Sequence, residues 1–192
     1  MPKFITFSGL DGSGKSTQIE LLKKYLEEQG KTFFYFHAVE FSIGKVTCRG
    51  FTSTKNKSVI KANWLQIQLR KIALLIDMFR FFRLLKILRV DYIISDRYFF
   101  DSVVNILFLE KRRHPTSKNL CAEKYIPKPD FAFYIEVKPE AIMQRERKPD
   151  QGIEYLVAKE KIFADKIKDW NLIVINGEKD KEEIHQQVIS NL

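Results

Sequence analysis

Residues 9–16 of this chain of 192 residues read Gly-Leu-Asp-Gly-Ser-Gly-Lys-Ser, a full match to the pattern GxxxxGK[ST]. An apolar run, residues 4–7, precedes the motif. Residues 14–29, which follow, carry apolar side chains at helical spacing. A glycine-rich turn between a buried strand and a helix is the context in which this motif binds phosphate. The motif therefore constrains the chain to an α/β fold whose first strand ends at a phosphate-binding loop.

The residue types of this loop suit phosphate chemistry. Glycines let backbone N–H groups turn inward toward phosphate oxygens, and the helix N-terminus adds partial positive charge. Lys15 is predicted to reach the β- and γ-phosphates, and the Ser16 hydroxyl to bind Mg²⁺. The predicted phosphate site consists of Gly9, Leu10, Asp11, Gly12, Ser13, Gly14, Lys15, Ser16 and Thr17.

Short apolar runs alternate with amphipathic stretches along the rest of the chain, which is typical of a parallel sheet with crossover helices. Strands are predicted at residues 4–7, 32–36, 91–95, 131–137 and 172–175. Helices are predicted at residues 14–29, 59–88 (one helix or two in tandem), 99–111, 140–146, 153–170 and 181–192. Residues 42–58 and 112–129 are predicted to be mainly loop. We therefore predict one α/β domain over residues 1–192.

Composition excludes several other classes of protein. Hydrophobic residues make up 45% and charged residues 30% of the chain, which is too apolar for disorder and too charged for a membrane bundle. The net charge of +9 favours anionic ligands, but no nucleic-acid-reading motif or basic tail is apparent. Cys48 and Cys121 are isolated and no secretory leader is apparent, so we predict a reducing cytoplasm.

Residues 72–88 form a strongly apolar stretch that needs its own interpretation. Asp77, Arg80, Arg83 and Lys86 interrupt it, which argues against a membrane span. A basic amphipathic helix on a membrane surface is one alternative. We favour a helix that packs on the core with its charged residues facing solvent or a cleft, and whose apolar excess can serve a subunit contact.

Two further groups of charged residues point to phosphate chemistry. Asp96 and Arg97 follow the third predicted strand, where an acid can hold a magnesium-bound water and an arginine can bind phosphate as a planar fork. Residues 145–152 contain Arg145, Arg147 and Lys148 in a loop with a proline and a glycine. A mobile basic loop of this kind can close over a nucleotide, so we predict a lid here.

These features, in this order, resemble the thymidylate kinase family of P-loop nucleoside monophosphate kinases. The resemblance runs from FITFSGLDGSGKSTQ through SDRY and PDFAFYIEV to the last helix. It implies a P-loop kinase three-layer sandwich with a five-stranded parallel sheet. It also implies ATP with Mg²⁺ as donor, dTMP as acceptor, dTDP as product, and a homodimer.

The resemblance also assigns roles to individual residues. Asp11 stands where the family has an acid close to the acceptor sugar, and Arg80 and Arg97 stand where the family binds the acceptor phosphate. Gly12 occupies a position that is a catalytic arginine in some members. Members with a small residue there tend to supply that arginine from the lid, which here offers Arg145 and Arg147 as catalytic cations beside Lys15 and Arg97. Asn176 and Gly177 match the adenine pocket weakly.

The acceptor side departs from the family pattern. The family usually has an Arg-Glu-Pro-Gly-like turn after the second strand. In this chain Glu40 matches the position of the glutamate, and Val39 occupies the position of the arginine that binds phosphate. Arg49, from the following loop, is a candidate to replace that arginine. Ile76 stands where the family has an aromatic residue that stacks on thymine, and Phe79 and Phe82 are candidate substitutes for that residue.

Two other functions therefore stay open beside a dTMP kinase. One keeps the fold and phosphorylates another nucleotide or a nucleoside, since deoxynucleoside kinases share the architecture and an arginine-bearing lid. Those kinases usually carry an acid–arginine–serine motif, whereas this chain has Asp96-Arg97-Tyr98 at that place. The difference favours a monophosphate acceptor. The other is a non-catalytic protein that binds a nucleotide or a nucleic acid.

Overall fold

The computed structural model describes residues 2–38, 62–112, 114, 116–117, 119–146 and 148–192. The strands are β1 (Lys3–Gly9), β2 (Phe33–His37), β3 (Tyr92–Asp96), β4 (Phe131–Glu136) and β5 (Ile173–Asn176). The helices are α1 (Lys15–Glu28), α2 (Trp64–Ile87), α3 (Phe99–Lys111), α4 (Pro139–Met143), α5 (Ile153–Lys166) and α6 (Lys181–Ser190), with a 3₁₀ helix at Cys121–Tyr125.

The strands form one parallel sheet in the order β2-β3-β1-β4-β5, which confirms the predicted fold class. β1 lies at the centre, and all its residues after Lys3 are buried. A strand covered on both faces by helices needs such a continuous apolar run. The central position of β1 brings the phosphate-binding loop to the carboxyl edge of the sheet, where parallel α/β sheets bind ligands.

Aromatic side chains fill the core between the sheet and α2. Phe81 of α2 is fully buried, and its ring centroid lies 5.1 Å from those of Phe4 and Phe36. Tyr98 is also fully buried, and its hydroxyl donates to the carbonyl oxygen of Pro127 at 2.5 Å. Tyr98 is therefore a core residue.

Three predicted boundaries are wrong in ways that affect the site. The helix predicted at residues 140–146 ends at Met143, so Arg145 leaves the helix and turns toward the phosphate-binding loop. The helix predicted at residues 153–170 ends at Lys166. The strand predicted at residues 91–95 is displaced by one residue, so Asp96 is the last residue of β3 and pairs in register with Phe7 and His37.

The connection predicted at residues 112–129 contains the 3₁₀ helix. It is fixed to the core because Lys166, a buried lysine of α5, donates to Glu123 at 2.8 Å and to Asn119 at 2.5 Å. The indole of Trp170 donates to the same carboxylate of Glu123 at 3.1 Å. These contacts join residues that sequence periodicity cannot relate.

Helix α2 is one continuous helix, which settles the choice between one helix and two within residues 62–88. The charged residues of this helix were expected to face solvent or a cleft, but Asp77 is only 2% exposed. Its carboxylate accepts from Arg80 at 3.0 Å, so the buried charge has a partner one turn along. Within the described ranges, no helix is long and apolar enough to cross a membrane.

One face of α2 exposes apolar side chains at helical spacing. We call this set the α2 stripe, and each of its members is at least 42% exposed. Successive members lie three or four positions apart and so share one side of the helix. The α2 stripe consists of Leu65, Leu69, Ile72, Ile76 and Phe79.

Gly9 should be the glycine of the loop least tolerant of a side chain. Its φ is +145°, and a Cβ built on it would lie 2.7 Å from the carbonyl oxygen of Ile135 on β4. We expect Gly9→Ala to lower the free energy of unfolding in urea by about 3 kcal/mol, because left-handed strain adds to a backbone clash. Gly30→Ala is the matched control, since its φ is +64° with nothing within 4 Å. It should cost only about 1 kcal/mol, and equal losses would contradict this explanation.

Candidate functional site

The phosphate-binding loop is closed by the side chain that enters it. The Lys15 ammonium donates to the carbonyl oxygens of Gly9 at 3.0 Å and Leu10 at 2.6 Å, and to Ser13 Oγ at 3.3 Å. Burial and the nearby Arg97 lower the pKa of Lys15 to about 8, although Asp101, Asp11 and Asp96 act in the opposite sense. The loop thus holds a desolvated cation at its centre, where a phosphate would meet little competition from water.

Ser16 and Asp96 meet at the mouth of this loop. The Ser16 hydroxyl lies 3.4 Å from Asp96 Oδ2, and the Tyr35 hydroxyl lies 3.4 Å from the same oxygen. A hydroxyl and a carboxylate are hard oxygen ligands, and Mg²⁺ usually takes only one or two protein ligands beside phosphates and waters. These two residues therefore fit Mg²⁺. The described residues include no group of three or more His, Cys, Asp or Glu that could hold a metal ion.

Asp11 joins three elements through one carboxylate. Its Oδ1 binds the Arg97 guanidinium, from the turn after β3. Its Oδ2 accepts from the Tyr155 hydroxyl at 3.2 Å and lies 3.8 Å from the Lys159 ammonium, both on α5. Asp11 therefore connects the phosphate-binding loop, the end of β3 and the helix that follows the predicted lid.

The charges around Asp11 reinforce one another. Burial would raise the pKa of Asp11, but Arg97, Lys159 and Lys15 outweigh it and hold that pKa well below its ordinary value. Burial also disfavours the guanidinium of Arg97, yet Asp11 and Asp101 keep the pKa of Arg97 above its ordinary value. Both groups are therefore charged at every physiological pH.

Arg97 adopts a backbone conformation that few arginines take, with φ at +61°. Its N–H donates to the carbonyl oxygen of Phe7 at 2.9 Å, and its own carbonyl accepts from the Ser95 hydroxyl. These bonds hold the residue in the left-handed region, which is typical of functional sites. The turn directs the guanidinium toward the loop rather than along the strand.

Arg145 lies across the other side of the loop. Its guanidinium donates to the carbonyl oxygens of Gly12 at 2.6 Å and Gly177 at 3.1 Å. The weakly matched position Gly177 is thus beside the loop. The cleft has a volume of about 320 Å³. Among the described residues, its lining consists of Gly12, Gly14, Lys15, Ser16, Thr17, His37, Asp96, Arg97 and Arg145. Gly9, Leu10 and Ser13 lie behind this lining, in the buried part of the loop.

Other predicted residues lie away from this cleft or outside the described residues. Arg80 pairs with Asp77 on α2 and is not among the described residues of the lining. Phe79 is 63% exposed on the α2 stripe, and Lys148 is exposed in the lid segment. The positions Val39, Glu40, Arg49 and Arg147 lie outside the described residues.

Several residues of the site were missed by sequence reasoning. Tyr155 and Lys159 lie one helical turn apart on α5, and their spacing reads as part of an amphipathic face. Asp101 is buried on α3, where it accepts from Ser8 Oγ at 2.6 Å and from the Tyr98 N–H at 3.0 Å. The available signal was a lysine and an aspartate that share helical spacing with the apolar residues of two predicted helices.

Comparisons with known proteins agree with this geometry. The family model described as thymidylate kinase matches residues 7–188. The probable thymidylate kinase of Sulfurisphaera tokodaii is 26% identical over 98% of this chain and 95% of that protein. Probable thymidylate kinase 1 of Saccharolobus solfataricus is 28% identical over 98% and 96%. The solved thymidylate kinase structure from Candida albicans superposes with a TM-score of 0.63 at 17% identity, covering 98% of this chain and 90% of that one.

The Asp11 carboxylate should stabilise the fold as well as the site. Asp11→Asn leaves two cations, Arg97 and Lys159, without their partner, and we expect the free energy of unfolding at pH 7 to fall by about 3 kcal/mol. Because the folded-state pKa of Asp11 is depressed, this contribution is complete above the ordinary value of 3.8 and is lost as the pH falls through the folded-state pKa. Urea unfolding at pH 7 and pH 3 measures the difference.

Asp165→Asn is the control for this prediction. Asp165 lies 3.7 Å from Lys111 in a surface ion pair and is 67% exposed, so its replacement should change stability little. A loss for Asp11→Asn no larger than the loss for Asp165→Asn would contradict the role given to the carboxylate.

Proposed function

Since the chain belongs to the thymidylate kinase family, we propose that it transfers the γ-phosphate of ATP to the phosphate of dTMP, with Mg²⁺ as cofactor. The observation that carries the proposal is the arrangement of Lys15 within the loop and Ser16 opposite Asp96. The chain is a thymidylate kinase-like phosphotransferase. The identity of donor, metal and acceptor is the part that experiment must test.

The donor side has the better-formed site. Backbone N–H groups of the loop and the start of α1 would hold the phosphates, and Lys15 would exchange its bonds to the loop carbonyls for bonds to phosphate oxygens. Ser16 and Asp96 would hold Mg²⁺, which when bound neutralises charge on the phosphates. Arg145, at Gly12 and Gly177, is positioned to contact the donor, in keeping with its proposed catalytic role.

The acceptor side is proposed to centre on Arg97. One nitrogen of its guanidinium is taken by Asp11, and a guanidinium has five N–H donors, so others remain for a phosphate. Glu40 and Arg80 are further proposed acceptor contacts from the family resemblance, whereas Arg147 is a proposed catalytic cation of the lid. The acceptor oxygen already carries negative charge and therefore requires no strong general base. The protein contributes position, charge and exclusion of water.

A second acceptor is a serious candidate. The residues considered for stacking on thymine are exposed on α2 and are not among the described residues that line the cleft: Ile76 and Phe79 on the α2 stripe, and Phe82 beside it. A different nucleoside monophosphate would use the same donor site and the same Arg97.

We also propose, as predicted from the sequence, that residues 1–192 form one kinase domain with a lid at residues 145–152 and that the protein acts in the cytoplasm.

We further propose that two copies of the chain form a homodimer through the α2 stripe. Five exposed apolar side chains on one helix face form a continuous surface that water solvates poorly. The stripe repeats at spacings of four and three residues, which allows the same face of a second copy to pack against it.

The kinase proposal is tested by ADP release from ATP and Mg²⁺ in the presence of dTMP, dUMP, UMP, CMP, AMP, GMP or thymidine. We expect turnover with dTMP, and loss of about 10³-fold in kcat for Lys15→Ala because a cation on the transferring phosphates is removed. Lys24→Ala is the matched control, an exposed lysine on the same helix. Turnover only with another acceptor would replace dTMP, and no turnover with any would contradict the proposal.

The dimer proposal is tested by sedimentation velocity. We expect the wild-type chain to sediment as a dimer and Ile72→Glu to sediment as a monomer, because the carboxylate would be desolvated in the apolar contact. Tyr125→Glu is the control, since Tyr125 is 65% exposed and lies off α2. A wild-type monomer, or an Ile72→Glu dimer, would contradict the assignment of the α2 stripe.

A further inference from the structure

Lys159 is a buried cation that the proposed reaction does not yet use. The residue is 5% exposed on α5, and its ammonium lies 3.8 Å from Asp11 Oδ2 and 4.4 Å from the centroid of the Tyr155 ring. The first distance is that of an ion pair and is too long for a hydrogen bond. An apolar residue of similar length would fill this space without the cost of burying a charge. The charge therefore calls for an explanation beyond packing.

The geometry of the Asp11 carboxylate suggests that explanation. Arg97 uses one nitrogen, Nη2, on one oxygen, Oδ1. Arginine and carboxylate pairs often use both oxygens and two nitrogens in a parallel fork. Here Oδ2 accepts a hydrogen bond from the Tyr155 hydroxyl and is paired electrostatically with the ammonium of Lys159, so both groups compete with Arg97 for this oxygen. The fork is thereby prevented, and the guanidinium keeps N–H donors for another anion.

The charges lead to the same conclusion. Asp11 and Asp101 are the two acids that act on both Arg97 and Lys159. The four groups together carry no net charge, whereas without Lys159 they would carry a net charge of −1. A phosphate that approaches Arg97 would then meet a site of its own sign. Asp101 cannot move away to reduce this negative charge, because its carboxylate is held by hydrogen bonds from the Ser8 hydroxyl and the Tyr98 N–H.

We propose that Lys159 is a positioning residue for the acceptor phosphate: it shares the carboxylate of Asp11, so that Arg97 is held in place and still free to bind an anion. This inference rests on the proposed function. Lys159 acts through Asp11 and Arg97. Lys159 is not among the described residues that line the cleft, and its ion pair with the donor loop is made through Asp11. It should therefore affect acceptor affinity and leave donor affinity unchanged.

The inference also predicts a pH dependence. Burial lowers the pKa of Lys159 to about 8, with Arg97 acting in the same sense and with Asp11 and Asp101 opposing them. The groups that face its ammonium are Asp11 from the loop, Arg97 from the turn after β3, Asp101 from α3 and Tyr155 from its own helix. Lys159 is thus charged below about pH 8 and loses its charge above it. Affinity for the acceptor phosphate should be full at pH 7 and fall at higher pH.

The experiment measures the Kd of dTMP by calorimetry without ATP, at pH 7 and at pH 9.5, for the wild type, Lys159→Met and Lys159→Arg. At pH 7 we expect Lys159→Met to bind dTMP about tenfold more weakly, since a positive charge near the anion is removed. Lys159→Arg should retain most of the affinity. The wild type should lose about the same factor between pH 7 and pH 9.5, and Lys159→Met should lose much less.

ADP binding at pH 7 is the control for the donor loop and for folding. If Lys159→Met binds both ADP and dTMP as the wild type does, the inference is wrong and the kinase proposal stands. If the wild type binds ADP but neither dTMP nor any other nucleoside monophosphate, the kinase proposal fails and the inference fails with it. If Lys159→Met does not fold, the wild type decides, because a dTMP affinity that is constant from pH 7 to pH 9.5 overturns the inference.

Discussion

The ion pair between Asp11 and Arg97 is the interaction on which the site depends. It links the loop after β1 to the turn after β3, and these two strands are neighbours at the centre of the sheet. The pair is only partly exposed, so each charge would be costly without the other. Through Tyr155, the same carboxylate also fixes the start of α5, the helix that follows the proposed lid. One short side chain therefore sets the relative positions of three segments that are distant in sequence.

The sequence predicted the fold correctly, because the order of strands and helices depends on local patterns. The loop motif lies between β1 and α1, and Lys15, Ser16 and Asp96 come together as expected. Tyr155 and Lys159 were missed because they contact Asp11 only in the folded structure. The hydrogen bond from the Tyr155 hydroxyl, for example, joins residues more than 140 positions apart in the sequence. The end of the helix before Arg145 was predicted too late for a similar reason. Helical spacing continued past Met143, whereas the bonds to Gly12 and Gly177 favour a chain that leaves the helix.

The two halves of the site differ in how closely they follow the family. The phosphate-binding loop is complete, and its lysine, serine and partner aspartate occupy a single cleft. In the proposed acceptor half, Arg97 and Asp11 pair beside the loop, but Arg80 pairs with Asp77 within α2, and Phe79 is exposed. Phosphate recognition needs only charge and N–H donors, whereas recognition of a base needs a shaped surface. A chain can therefore keep the chemistry of the family while its choice of base changes.

The order of the strands in the sheet has a consequence for synthesis on the ribosome. β1 is made first, yet its two neighbours are β3 and β4, whose last residues are Asp96 and Glu136. The bond from Arg145 to Gly177 then waits for the turn after β5. One edge of β1 therefore stays unpaired until half of the chain is translated and the other until residue 136, and parallel strands pair slowly. Nucleotide can therefore be bound in its final form only after nearly the whole chain has emerged, which makes binding competence a late marker of completed folding.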